Sequence, residues 1–270
     1  VATPEGACFL RGRTLHAVDP VTGETLWKRG GMDPGGTLFG DEQFVFVTDD
    51  ETSRDGSDEA AATVYQLADG RRLGRRAIPP RNERMGIIGR HAITWQNEGT
   101  EHVIRRTDLW TADVEWELRC RRGAKATLVE NERLVVMEDD GHLRMIQVAD
   151  GATLIDAEVE PVNTLEELFV VPGERELIVL ADEFRPNNDA VFVRGVPNTL
   201  ADSRVQGRIY AFDTATGELL WSRPVEKHAL SVDQPSGLPV LVLAANIYER
   251  AERPDNGRRT GRTTQYSKVT

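Results

Sequence analysis

The feature that most constrains this chain is a hairpin written twice. GRTLHAVDPVTGETLW (Gly12 to Trp27) and GRIYAFDTATGELLW (Gly207 to Trp221) agree at seven positions in one register: Ala17/Ala211, Asp19/Asp213, Thr22/Thr216, Gly23/Gly217, Glu24/Glu218, Leu26/Leu220 and Trp27/Trp221. A short extended run precedes each Asp and another follows each Gly, so the middle reads as a tight connection between two strands. The carboxylates of Asp19 and Asp213 are placed to accept the backbone amides just ahead, and Pro20 presets φ at the next position. Gly23 and Gly217 stand where a chain re-entering a strand needs positive φ, as in a type I turn followed by a glycine bulge.

Weaker copies lie between these two. HVIRRTDLWTADVEW (His102 to Trp116) keeps the Asp-to-Trp spacing as Asp108 and Trp116, but Ala112 replaces the turn glycine, which predicts a different turn geometry there. TVYQLADG (Thr63 to Gly70) and MIQVADG (Met145 to Gly151) shorten the turn to Ala-Asp-Gly, and Gly74 stands where the first copy has its Trp. The turns recur at a spacing of about forty residues, the period of four-stranded propeller blades. Each unit supplies strands A, B, C and D, with the recurring hairpin joining C to D. The B strands at Leu134 to Met137, Leu177 to Leu180 and Val240 to Leu243 are nearly continuous apolar runs, which predicts burial on both faces. The expected fold is an all-β propeller of four-stranded antiparallel blades in a single domain, with six units visible near residues 1–30, 36–80, 84–122, 125–160, 166–226 and 229–270.

These AxDxxTGExLW units resemble those of the quinoprotein-type, or PQQ-repeat, β-propeller family. The resemblance covers the whole chain in period, and two units match the motif fully. It implies that Trp27, Trp116 and Trp221 dock between adjacent blades. The Ala-Asp-Gly units depart from the family pattern, which leaves their packing open. Family members commonly have more blades, so the chain resembles a piece of a longer propeller. The expectation is an open arc, or a closure that uses Val1 to Leu10 and Tyr266 to Thr270. Extracytoplasmic assembly proteins share the repeat, which implies a periplasmic or cell-envelope location.

Composition narrows the function. A formal charge of −11 lacks the basic footprint of a nucleic-acid binder. No apolar run approaches the roughly 18 residues of a membrane helix, so no membrane insertion by this segment is expected. No signal-peptide pattern occurs at Val1. Cys8 and Cys120 lack CxxC spacing and signal neither a disulfide framework nor a zinc site. His16, His91, His102, His142 and His228 are dispersed without metal-ligand spacing.

Three long excursions fall between strands B and C: Asp49 to Ala62, Glu183 to Gln206 and Glu249 to Thr264. Loops of one class leave every blade by the same end, so together they form the expected interaction surface. The first offers Asp49, Asp50 and Asp55. The others offer Arg185, Arg194, Arg250, Arg258, Arg259 and Arg262, the last three as a fork for carboxylate or phosphate groups. Glu51, Ser53, Asp55 and Gly56 resemble the opening of a calcium loop, but Ala62 stands at the twelfth position in place of a bidentate Glu. No catalytic motif occurs. The leading expectation is a non-catalytic scaffold, without a cofactor, that binds a protein partner or other domains of a longer chain. The family name implies an alternative, a dehydrogenase using PQQ and calcium, whose vicinal cysteine disulfide this chain lacks. A purely structural module is the third.

Overall fold

The computed structural model describes residues 1–48, 60–162, 164–183, 202–231, 243–250 and 263–269. Strands dominate, and the one helical element among the described residues is a single 3-10 turn at Arg81–Glu83. The first sheet holds β1 (Ala2–Thr3), β2 (Gly6–Arg11), β3 (Thr14–Val18) and β4 (Thr25–Gly30). The second holds β5 (Leu38–Gly40), β6 (Phe44–Thr48), β7 (Ala61–Gln66) and β8 (Arg72–Ala77). The third holds β9 (Arg84–Ile88), β10 (His91–Glu98), β11 (Glu101–Asp108) and β12 (Val114–Arg121). The fourth holds β13 (Lys125–Val129), β14 (Arg133–Met137), β15 (His142–Gln147) and β16 (Thr153–Glu158). The fifth holds β17 (Leu165–Pro172), β18 (Glu176–Glu183), β19 (Asp202–Asp213), β20 (Leu219–Ser231), β21 (Leu243–Arg250) and β22 (Thr263–Val269). Sequential strands pair antiparallel in every sheet, so each of the first four is a four-stranded blade and β17 to β20 repeat the plan.

The sixth unit does not form a sheet of its own among the described residues. β20 is 13 residues long, and its far end pairs Ala229 with Ala244 and Leu230 with Leu243, which carries β21 and β22 onto the fifth sheet. The chain divides into two compact units. One comprises residues 1–122 with 130–132 and 148–152, and the other comprises 123–129, 133–147 and 153–270.

The C-to-D hairpins share one register. Ala17 pairs with Trp27, Val64 with Gly74, Arg106 with Trp116, Met145 with Ile155 and Ala211 with Trp221, and a bulge follows each pair on the turn side. In the first, Asp19 N–H donates to Glu24 O at 2.8 Å and Gly23 N–H to Asp19 O at 2.9 Å, closing a loop of residues 20–23. The expectation of a different turn at Ala112 is overturned. Ala112 holds φ 68° beside 73° at Gly23 and 74° at Gly217, and its N–H donates to Asp108 O at 2.8 Å as the glycines do. The hairpin register fixes the backbone, and a methyl group is small enough to be tolerated in the left-handed region at a cost.

The Ala-Asp-Gly turns are not shortened either. Gly70 N–H donates to Gln66 O and Gln66 N–H to Arg71 O, both at 2.9 Å, so the loop closes over the same number of residues. What moves is the carboxylate. Asp69 and Asp150 accept the amides of Arg71 and Ala152 at 2.8 and 2.9 Å, whereas Asp19 and Asp213 cap the start of the turn.

Two-sided burial holds for the B strand at Leu134 to Met137 and, with Ile178 half-buried, at Leu177 to Leu180, while Val240 to Val242 lie outside the described residues. Leu134, Val135, Val136 and Met137 are fully buried, as are Val45 and Phe46 in β6. In the first compact unit the core gathers Leu15, Ala17, Trp27, Val45, Tyr65 and Leu67. In the second, Val135, Met137, Leu143, Met145, Leu177 and Tyr210 belong to one cluster.

Candidate functional site: a basic cleft on the second sheet

Trp27 and Trp116 each lie on a turn that departs from the motif. Trp27 Nε1 donates to Leu67 O at 2.7 Å and Trp116 Nε1 to Val148 O at 2.9 Å. A Cβ built on Gly70 would lie 2.6 Å from the Trp27 ring, and one on Gly151 would lie 2.8 Å from Trp116, so the ring occupies the space that only glycine leaves. At the position held by Gly74 the arrangement inverts. Arg76 Nε donates to Trp110 O at 3.0 Å, with its guanidinium 4.1 Å from the Trp110 ring centroid, and Trp110 stacks on Phe44. Trp221 is more open, 37% exposed as a residue against 8% for Trp27.

Docking of Trp27 brings the end of β4 against the second sheet and leaves a cleft of about 450 Å³ there. Arg29 to Asp33 form one wall, and Val47, Thr63, Tyr65, Arg72 and Arg75 form the other. Arg29 is fixed by donating Nε to Gly70 O at 2.6 Å and Nη2 to Asp69 O at 3.0 Å. Tyr65 is buried and its hydroxyl meets Met32 Sδ at 3.7 Å, which ties the two walls together at the floor. Val47 pairs with Thr63, and Thr63 with Arg75, close to the connection between β6 and β7. The lining thus runs from the C-to-D turn, where Arg72 pairs with Tyr65, to the end of the sheet from which the B-to-C excursion leaves. The lining residues include three arginines, Arg29, Arg72 and Arg75, and one carboxylate, Asp33, a balance of charge that favours an anionic ligand.

The excursions themselves lie mostly outside the described residues, as do Asp49, Asp50, Asp55, Arg185, Arg194, Arg258, Arg259 and Arg262 and the calcium-like run at Glu51, Ser53, Asp55 and Gly56. Arg250 falls in β21, its backbone paired with that of Thr263, at the base of the excursion. Strand pairing also claims more of the chain than expected. β19 begins at Asp202, where Asp182 accepts the Gln206 amide at 2.7 Å. Burial nonetheless raises the Asp182 carboxyl pKa.

The basic run RRLGRR, Arg71 to Arg76, supplies two of the cleft's arginines. Arg72 and Arg75 are three apart, which in a regular strand points them to opposite sides. The bulge between Val64 and Tyr65 leaves Tyr65 opposite Arg72 and Val64 opposite Gly74, and this extra residue turns both guanidinium groups to one face.

A second charged cluster sits on the third sheet. The ligand atoms of His91, Asp108 and Glu115 lie within 4.8 Å of one another, although their spacing in sequence carries no signal. Asp108 Oδ2 already takes Arg90 Nε at 2.9 Å, its Oδ1 accepts the amides of Trp110 and Thr111, and Glu115 Oε2 holds Arg106 at 2.9 Å. Burial works to raise the Asp108 pKa, but those amides and Arg90 hold the carboxyl below its ordinary value. A dication would have to displace two guanidinium groups, so the cluster is an ion-pair network and does not fit calcium. Nor do the cysteines fit a quinone platform. Cys8 in β2 and Cys120 in β12 are separate buried thiols, and burial pushes Cys8 up to about 11.

The family model described as outer membrane protein assembly factor BamB matches residues 2–168 and, in a second placement, 62–249. No curated protein matches the chain. Among solved structures, BamB from Moraxella catarrhalis is 17% identical over 81% of this chain and 58% of its own, with a TM-score of 0.34. The computationally designed Ika8 protein is 14% identical over 88% and 63%, with a TM-score of 0.40. Apo AztD from Citrobacter koseri is 12% identical over 83% and 60%, with a TM-score of 0.37. The chain thus spans about three fifths of the length of the structures it matches.

Proposed function

From the premise that the chain belongs to the PQQ-repeat β-propeller family described as outer membrane protein assembly factor BamB, we propose that it is a non-catalytic scaffold that grips a protein partner through a carboxylate-bearing segment. The observation that supports this reading most directly is the basic cleft. Arg29, Arg72 and Arg75 present cationic groups in a chain whose formal charge is −11, so the cleft departs locally from the charge of the rest. An acidic partner is repelled by most of such a surface and attracted here, which confers register as well as affinity. The excursion with Asp49, Asp50 and Asp55 would supply further specificity beside the cleft, and Arg185, Arg194, Arg250, Arg258, Arg259 and Arg262 are proposed as separate contacts on the other unit. An extracytoplasmic location accords with the family description, which names an outer membrane assembly factor.

The test places a photo-crosslinking residue at Thr63 in the cleft and compares the parent with an Arg72→Glu, Arg75→Glu variant. The reading expects one crosslinked protein partner, competed by a glutamate-rich peptide, and at least about a tenfold loss of capture in the variant with an unchanged melting temperature. Capture that ignores the charge reversal refutes the cleft as the site, and absence of capture by either protein favours a purely structural module. No observation here favours the dehydrogenase using PQQ and calcium.

A further inference from the structure

Charge is unevenly distributed along the cleft. At the C-to-D turn Arg72 pairs with Tyr65, and Arg29 is held against the same turn by the carbonyls of Gly70 and Asp69. The Asp69 carboxylate accepts the Arg71 amide at 2.8 Å and is not part of the lining. Two residues along β7, Val47, Thr63 and Arg75 pair in one row, which separates the Arg72 row from the Arg75 row by about 7 Å.

Asp33 belongs to the far end. Its Oδ1 accepts the Gly35 amide at 3.1 Å and its carbonyl accepts the Gly36 amide at 3.2 Å. The same turn leads into Thr37, whose amide donates at 2.9 Å to the hydroxyl of Thr48, the last residue of β6. Arg75 and Asp33, opposite in sign, thus lie toward the end from which the excursion leaves, where their charges offset. Arg29 and Arg72 share the turn end, and no lining residue there is acidic.

We propose that the segment gripped by the cleft is charge-asymmetric: its carboxylates cluster at one end, seated at the C-to-D turn by Arg29, Arg72 and the Tyr65 hydroxyl, and a neutral remainder runs past Arg75 and Asp33. This rests on the reading of the cleft as the partner's site. Arg29 is the fixed element. Gly70 O, Asp69 O and Lys28 O hold its Nε, Nη2 and Nη1, so the charge is oriented before a ligand arrives, and Nη1 and Nη2 each keep a second N–H to donate. Tyr65 is buried, and its hydroxyl meets only the thioether of Met32, a weak acceptor that a carboxylate oxygen improves upon. A carboxylate placed instead at the far end meets the like charge of Asp33.

Chemical-shift titration of the full chain tests this with three end-blocked hexapeptides, each of two glutamates and four serines. Two isomers carry the glutamates together, at one end or the other to allow for either chain direction, and the third carries one at each end. The better clustered isomer is expected to bind about two- to fivefold tighter than the divided one, the range of one partly exposed ion pair. Asp33→Asn keeps an acceptor for the Gly35 amide and should shrink that ratio toward one, whereas Arg72→Gln should weaken the clustered peptide more than the divided one. Equal affinities in wild type overturn the proposal, and so does a preference that Asp33→Asn leaves unchanged. If no peptide shifts the amides of the lining, the reading of the cleft as a carboxylate site fails first, and the asymmetry falls with it.

Discussion

Ala112 holds a left-handed backbone at φ 68° that its glycine counterparts adopt without a Cβ clash. Relief of that strain makes Ala112→Gly stabilising by about 1 kcal/mol, readable as a shift in the denaturant midpoint with an unchanged slope. Glycines in the same conformation differ in what surrounds them. Gly70→Ala drives a methyl group to 2.6 Å from the Trp27 ring, whereas Gly23→Ala meets open space. The former should cost more by about 1 to 3 kcal/mol, the usual penalty of overpacking; equal costs would mean that Trp27 yields freely. The turn carboxylates add a pH signature. The amides of Thr22 and Val21 hold Asp19 below its ordinary value, and those of Thr216 and Ala215 do so for Asp213. A carboxyl depressed on folding contributes stability that is fully present above the unfolded value of about 4 and is lost as pH falls through the folded one. The Asp19→Asn, Asp213→Asn variant should therefore be less stable than wild type at neutral pH by a constant margin, and the two should converge in acid below that value.

The strand elements were legible in the sequence where one register governs them. The Asp-to-Trp spacing located three C-to-D hairpins, and the continuous apolar run at Leu134 to Met137 announced β14, which is buried on both faces. Less legible was the role of the Ala-Asp-Gly turns, because such a turn is recognised by the space it leaves for a distant ring and not by its own residues. The basic cleft stayed hidden for a related reason: a bulge in the β7–β8 ladder reverses the alternation that would separate Arg72 from Arg75. The candidate loop residues were selected by length and charge, and most of them lie outside the described residues. Docked and exposed tryptophans should respond differently to truncation. Trp27→Ala removes a ring that is 8% exposed together with its hydrogen bond to Leu67 O, and should cost about 3 to 5 kcal/mol. Trp221→Ala should cost well under half of that; a comparable loss would mean that Trp221 is packed as core.

At the scale of the molecule, the division into two compact units follows the apolar clusters. Trp27, Leu15 and Tyr65 share a cluster in one unit, while Leu143, Met137 and Tyr210 share a cluster in the other. Blade architectures of this kind derive stability from each sheet and its nearest contacts, so damage need not spread through the whole chain. Leu143 is fully buried, and Leu143→Ala should cost about 2 to 5 kcal/mol where it stands. Native-state hydrogen exchange gives that cost an address. If the units open separately, protection falls across β13 to β20 while β6, β7, β10 and β11 keep wild-type rates. A uniform loss of protection in every sheet would instead make the chain one cooperative body. The contacts of Trp116 with the turn at Val148 to Gly151 would then couple the sheets more tightly than each core holds itself.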